Sequence, residues 1–139
     1  MRIKNLRYDR YRKARDVILE LNGLTVLIGP NAGGKSNLLD GFRFLWSAAL
    51  TGDFRNPVAE RGGILQLGWK GETRPPVTLA AAFLGEADEQ FEWGVTLAPT
   101  SADFIVTEEI LRRKPGTGKT ILLRNYPNEK RWLNEAADY

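Results

Sequence analysis

The sequence predicts an α/β fold in two parts: a buried strand, a glycine-rich loop and an amphipathic helix come first, and an antiparallel β-meander follows. Three observations carry this expectation. Residues 24–28 (Leu-Thr-Val-Leu-Ile) form an almost wholly apolar run, the pattern of a strand covered on both faces. Residues 35–50 then set Leu38, Phe42, Leu45 and Ala49 at helical spacing, with Leu39 and Trp46 widening the stripe. From residue 64 onward, short apolar or alternating segments recur between turn signals. At 139 residues the chain is long enough for one domain with a real core.

Taken in order, residues 1–8 read as a short strand. Residues 16–21 alternate as Val17, Leu19 and Leu21 and read as a second. Asn22-Gly23 is a dipeptide that tight hairpins prefer. Within the helix, Gly41 costs about 1 kcal/mol against alanine. Thr51-Gly52-Asp53 closes the helix, and Asn56-Pro57 opens a loop. The meander strands are expected at residues 64–69, 77–84, 91–97, 104–112 and 120–125. Residues 129–139 resemble the opening of a helix, with Trp132, Leu133 and Ala136 on its apolar side and no C-cap after it. The expected organisation is therefore a single N-terminal lobe over 1–139, with its core at about 1–55 and its β subdomain at about 60–126. A C-terminal helix begins at 129–139, and the whole reads as a fragment of a longer protein.

Composition removes several chemistries. With no cysteine there is no disulfide frame, zinc-thiolate site or thiol nucleophile. With no histidine there is no Ser-His relay and no imidazole base or metal ligand. The longest apolar run, residues 79–84, is far shorter than the roughly 20 residues a membrane helix needs, and no apolar stretch follows the basic N-terminus. A soluble, cytoplasmic protein with no membrane partner is expected. Residues 1–15 hold seven cations, among them Arg7, Arg12, Lys13 and Arg15, against the single acid Asp9. Such a patch suits phosphate, as nucleotide or nucleic-acid backbone, and equally suits a solvated strand edge blunted by charge.

The chemistry concentrates in Gly29-Pro30-Asn31-Ala32-Gly33-Gly34-Lys35-Ser36, which fits G-x-x-x-x-G-K-[ST] between the apolar run and the helix. Glycines let such a loop turn its amides inward around phosphate, and the helix start adds unpaired N–H groups and the positive end of the dipole. Lys35 offers a mobile charge to the β- and γ-phosphates, and the Ser36 hydroxyl is a hard oxygen for Mg2+. Residues 116–120 (Gly-Thr-Gly-Lys-Thr) repeat the end of the motif. Arg113 stands where its first glycine belongs and strands flank it, so it reads as a hairpin loop.

With these residues in view, Ile3-Lys4-Asn5-Leu6-Arg7 and residues 24–40 (LTVLIGPNAGGKSNLLD) resemble the N-terminal lobe of RecF/SMC-type ATPases, ABC-related heads that include predicted AAA-type ATPases of bacteria. Arg61-Gly62-Gly63 and residues 106–111 resemble that lobe's antiparallel subdomain. The resemblance implies that Gly29, Asn31, Gly33, Gly34, Lys35 and Ser36 hold ATP and Mg2+, with Ser36 on the metal and Asn37 near the inner phosphates. It implies that Arg7 approaches the nucleotide from the first strand. It also implies a completing C-terminal lobe, a homodimer of heads on ATP binding, and contact with DNA.

Two parts of the family pattern are missing. Residues 105–109 (Ile-Val-Thr-Glu-Glu) are a poor match to a Walker B strand, because Thr107 interrupts them and they lie in the meander, and no signature loop is present. Gln66 and Gln90 are candidates for the family's Gln loop, and neither fits. The chain alone is therefore expected to bind ATP with turnover near background. The alternative is a truncated, non-catalytic module that meets nucleic acid or a protein partner through its basic N-terminus. A small P-loop kinase or GTPase fits less well. Asn128-Glu129-Lys130-Arg131 is not a guanine-reading Asn-Lys-x-Asp, and a meander rather than parallel βα units follows the loop.

Overall fold

The structure, a computed structural model, describes residues 1–31 and 33–114 and the backbone of 121–125. The elements are β1 (Arg2–Asp9), β2 (Val17–Glu20), α1 (Lys35–Thr51), α2 (Arg55–Ala59), α3 (Ile64–Leu67), β3 (Val77–Leu84), β4 (Gln90–Pro99), β5 (Phe104–Lys114) and β6 (Ile121–Asn125). Among the described residues the six strands form one sheet, ordered β2-β1-β3-β4-β5-β6, with every neighbouring pair antiparallel. The four late strands appear where the alternating segments predict them, with ends moved by one or two residues. β1 joins the same sheet beside β3.

Strand alternation sorts the residues of this sheet. Leu6, Tyr8, Val77, Leu79, Ala81, Trp93, Val95 and Leu97 turn to the side where Phe44, Leu45, Ala48, Phe54, Val58, Ile64 and Leu67 of the helical layer complete the core. Phe44, Phe54 and Trp93 form a stacked series across that layer, with ring centroids 6.3 Å apart at each step. The register slips between Thr96 and Leu97 of β4, leaving Thr107 as an extra residue in β5, and its hydroxyl donates to the Thr96 carbonyl at 3.2 Å. This bulge re-phases the strand, so Val106 and Glu109 both face Leu97 and Val95 on the core side.

Three sequence expectations are corrected, and a fourth in part. Residues 24–28 form no strand, and Leu24, Val26 and Ile28 are 91%, 67% and 90% exposed. An apolar strand is stable only with partners on its backbone groups, and none of the described residues supplies one. Residues 64–69 form the single turn α3 rather than a strand. Ile64 and Leu67, three residues apart, are buried while Leu65 and Gln66 face out, which is helical spacing. Asn56-Pro57 lies inside the short helix α2, not a loop, with Pro57 and Val58 buried. The core face of α1 keeps Leu45 buried and Leu38 and Phe42 packed against the core, as expected, but it turns toward Gly41, Phe44 and Ala48, which are buried, and away from Leu39, Trp46 and Ala49, which are exposed. The pivot is Gly41. A Cβ there would lie 2.6 Å from the Tyr8 ring, so the missing side chain is the space that Tyr8 fills. The loop at 116–119 and the helix at 129–139 lie outside the described residues.

Candidate nucleotide-binding site

The glycine-rich loop leads directly into α1. Gly34, with φ 88°, occupies the N-cap position in a left-handed conformation that a side chain would strain. No side chain caps the helix start, and its first turn contains no acid. The leading N–H groups of α1 therefore have no intrahelical acceptor and face no carboxylate of that turn. The preceding turn is closed by the Gly33 N–H donating to the Pro30 carbonyl at 2.9 Å.

Lys35 is folded back into this loop, where its Nζ donates to the carbonyls of Gly29 and Pro30, the latter at 2.8 Å. The ammonium thus rests on neutral carbonyl oxygens, with no carboxylate pair among the described residues. Carbonyl dipoles hold a cation less strongly than an ionised oxygen does, so an arriving phosphate can take their place. Asn31 and Ser36 are exposed on the same segment. The Ser36 hydroxyl is one hard oxygen, which suits Mg2+, an ion that completes its shell with phosphate oxygens and water. Among the described residues no three acidic side chains gather into a metal cage. Asn37 lines a cavity of about 620 Å³ together with Arg12, Lys13, Arg61, Trp69 and Lys70.

Other candidates lie elsewhere. Arg7 is exposed on the sheet face turned away from α1, where it shares two shallow cavities with Glu92 and Ala80 and with none of the loop residues. Glu108 lines the first of these, while its neighbour Glu109 is buried on the opposite face and accepts a hydrogen bond from Trp93 Nε1 at 3.0 Å. The acidic pair therefore does not act as one unit. Gln66 lies in α3 at the edge of the larger cavity, and Gln90 opens β4.

What sequence reasoning missed is the brace behind the loop. Asp40 of α1 accepts hydrogen bonds from Arg61 Nε at 3.1 Å and from the Tyr11 hydroxyl at 2.5 Å, and Arg12 stands 3.5 Å away. Burial raises the Asp40 carboxyl, but the hydrogen bonds from Arg61 and Tyr11 and the charges of Arg61 and Arg12 outweigh it and hold the pKa below the ordinary value. Burial, with Asp40 nearby, pushes both Tyr8 and Tyr11 well above the usual phenol range. Tyr8 donates to the Leu38 carbonyl at 2.7 Å, so two buried tyrosines tie β1 and its following loop to the first two turns of α1. The available signal was the one acid of the helix, with an arginine 21 residues later.

Comparison with known proteins agrees with this architecture. A family model described as "AAA domain, putative AbiEii toxin, Type IV TA system" matches residues 24–139. A solved structure described as "Structural biochemistry of ATP-driven dimerization and DNA stimulated activation of SMC ATPases" is similar in fold. Its TM-score is 0.51 at 22% identity, covering 99% of this chain and 76% of that one. No curated protein sequence matches the chain.

Proposed function

Because this chain belongs to the AAA-domain family described as "AAA domain, putative AbiEii toxin, Type IV TA system", we propose that it is the ATP- and Mg2+-binding N-terminal lobe of a RecF/SMC-like ATPase. One observation carries this reading: an uncapped, acid-free helix start with Lys35 turned into the loop before it. On this reading the backbone of Gly33, Gly34 and Ser36 receives the phosphates, while Gly29 and Asn31 shape the mouth of the loop. Lys35 leaves the Gly29 and Pro30 carbonyls for the β- and γ-oxygens. The Ser36 hydroxyl is one ligand of Mg2+, and Asn37 stands beside the inner phosphates. When bound, the metal neutralises charge on the phosphoryl group. Arg7 on the far sheet face has no role in this reading.

A completing lobe and a second head belong to the same proposal. Leu24, Val26 and Ile28 before the loop, and Leu39, Trp46 and Leu50 along α1, are large apolar side chains left exposed, which supports a second body covering them. Hydrolysis needs an acid and a polarised water in addition to the phosphate cradle. The separation of Glu108 from Glu109 supports assigning those groups to the second body.

Calorimetry with ATP and Mg2+ tests the proposal. Lys35→Met keeps the bulk and removes the charge, and is expected to abolish binding while leaving the circular-dichroism spectrum unchanged. Equal affinity in variant and parent would overturn the assignment.

A further inference from the structure

A triphosphate held on residues 29–36 does not account for the cavity beside them. That cavity, about 620 Å³, has the size of a small-molecule site, and Asn37 lines it from the first turn of α1. It adjoins the loop: a side chain on Gly34 would begin 3.8 Å from the Lys13 Cβ, and Lys13 is part of the cavity wall. A nucleotide with its phosphates in the loop still has its ribose and base to place. Asn37, beside the inner phosphates, marks the side on which they leave.

Two segments distant in sequence form the walls, and backbone contacts tie them together. The turn after β1 supplies Arg12 and Lys13, while α3 and the residues after it supply Gln66 and Trp69. The Arg12 N–H donates to the Leu67 carbonyl at 2.7 Å, and Tyr11 pairs with Gly68 in an isolated antiparallel bridge. The Trp69 ring is held as well: the Arg15 guanidinium lies 4.7 Å from its centroid, and a side chain on Gly71 would collide with it. Walls fixed before a ligand arrives reduce the ordering cost of binding it.

The polar groups of the lining differ in what they have left to offer. Arg61 is engaged by Asp40 and Glu60, Arg12 by Asp40, and Lys13 has an interaction of its own, while Lys70 is exposed. The Gln66 side-chain amide has no hydrogen-bond partner among the described residues. A primary amide sets a donor and an acceptor side by side, which matches the amino group and ring nitrogen of adenine. Guanine carries a carbonyl in place of that amino group and calls for cationic donors, which here are engaged or in solvent. The aromatic wall suits a flat ring.

We propose that this cavity seats the base of the bound nucleotide, with Gln66 selecting adenine over guanine and Trp69 forming the aromatic wall. The proposal rests on the reading that residues 29–36 take the phosphates, and the two can fail separately. The test is calorimetry of the full chain with ATP, GTP and inorganic tripolyphosphate, each with Mg2+. The parent is expected to prefer ATP to GTP by about tenfold or more, the scale of one two-point contact between an amide and a base. Gln66→Met removes the amide and should bring the two affinities within about threefold of each other. Gln66→Glu accepts without donating and should move the ratio further toward GTP, whose base edge donates. The ratio is the readout because an altered charge acts on both triphosphates alike. Gln90→Met, on the far sheet face, should leave it unchanged.

Equal affinity of the parent for ATP and GTP, with tripolyphosphate binding still lost in Lys35→Met, would overturn the base seat and leave the loop reading standing. An unchanged ratio in both Gln66 variants would overturn it too, as would an equal change from Gln90→Met. A loss in Gln66→Met shared by ATP, GTP and tripolyphosphate would put Gln66 on the phosphates or the metal, against the proposal. Tripolyphosphate binding that survives Lys35→Met would overturn the loop reading, and the base seat with it.

Discussion

Gly41 and Asp40 are neighbours in α1, and each ties the helix to a different tyrosine of the first hairpin. In an exposed helix, glycine to alanine gains about 1 kcal/mol from propensity. At Gly41 the new Cβ would meet the Tyr8 ring at 2.6 Å, within a fully buried contact. Overpacking of this kind costs about 1–3 kcal/mol. Gly41→Ala is therefore expected to be destabilising, or neutral at best, and a urea titration gives the sign. A gain near 1 kcal/mol would show that Tyr8 moves aside freely.

Asp40→Asn leaves Arg61, itself only 10% exposed, without its hydrogen-bonded carboxylate and with only the exposed Glu60 at 3.7 Å. Losing one partner of a fully buried pair costs about 3–5 kcal/mol. Solvent reaches about a quarter of the Asp40 side chain, so about 2 kcal/mol is expected here. The pH dependence follows from the lowered pKa of Asp40 in the folded chain. The stabilisation is complete where the unfolded carboxyl is ionised, above about pH 5, and is lost as pH falls through about 4 toward the folded pKa. Thermal melts from pH 6 to 2 should show the parent losing more stability than Asp40→Asn. Parallel curves would mean that the brace contributes nothing.

At the scale of elements, the β3–β4 hairpin closes through Ala87 and Asp88, both left-handed, with φ 52° and 60°. The Glu89 N–H donates to the Glu86 carbonyl at 3.1 Å across this turn. Two successive positive φ angles are the signature of the hairpin turn that glycine and asparagine favour. Aspartate tolerates the conformation, whereas alanine has no side-chain group to offset it. Ala87 is exposed and makes no side-chain hydrogen bond, so Ala87→Gly should stabilise the chain by about 0.5–1 kcal/mol in thermal melts. A loss of stability would show that the turn is set by its strands and not by local strain. The composition of residues 85–90 marked a turn without revealing which residue bears the left-handed conformation.

For the whole molecule, the six-stranded sheet is covered by helices on one face, while the apolar residues 24–28 stand apart from any ladder. Val26 is 67% exposed, so Val26→Thr removes little from this chain's own core. Its thermal midpoint should correspond to a change within about 0.5 kcal/mol, the usual scale for surface positions. A cost above about 1 kcal/mol would show that the segment is buried in solution, by self-association or by a shift onto the sheet. Sedimentation of the same samples separates those two cases.

What the sequence determined by itself was local. The G-x-x-x-x-G-K-S spacing, the helix that follows it and the alternation of the late strands each depend on neighbours a few residues apart, and side-chain periodicity records them directly. The tertiary structure decided what depends on distant partners. Residues 24–28 have the composition of a buried strand, but burial requires a neighbour, and composition cannot supply one. Gly41 reads as a flaw in a helix until the Tyr8 ring occupies its place. Arg7 and Lys13 belong to the same basic run, yet strand alternation and a left-handed turn send Arg7 to the far sheet face and Lys13 to the cavity beside Asn37. Charge is written in the sequence, but which charges converge is set by how the chain crosses itself.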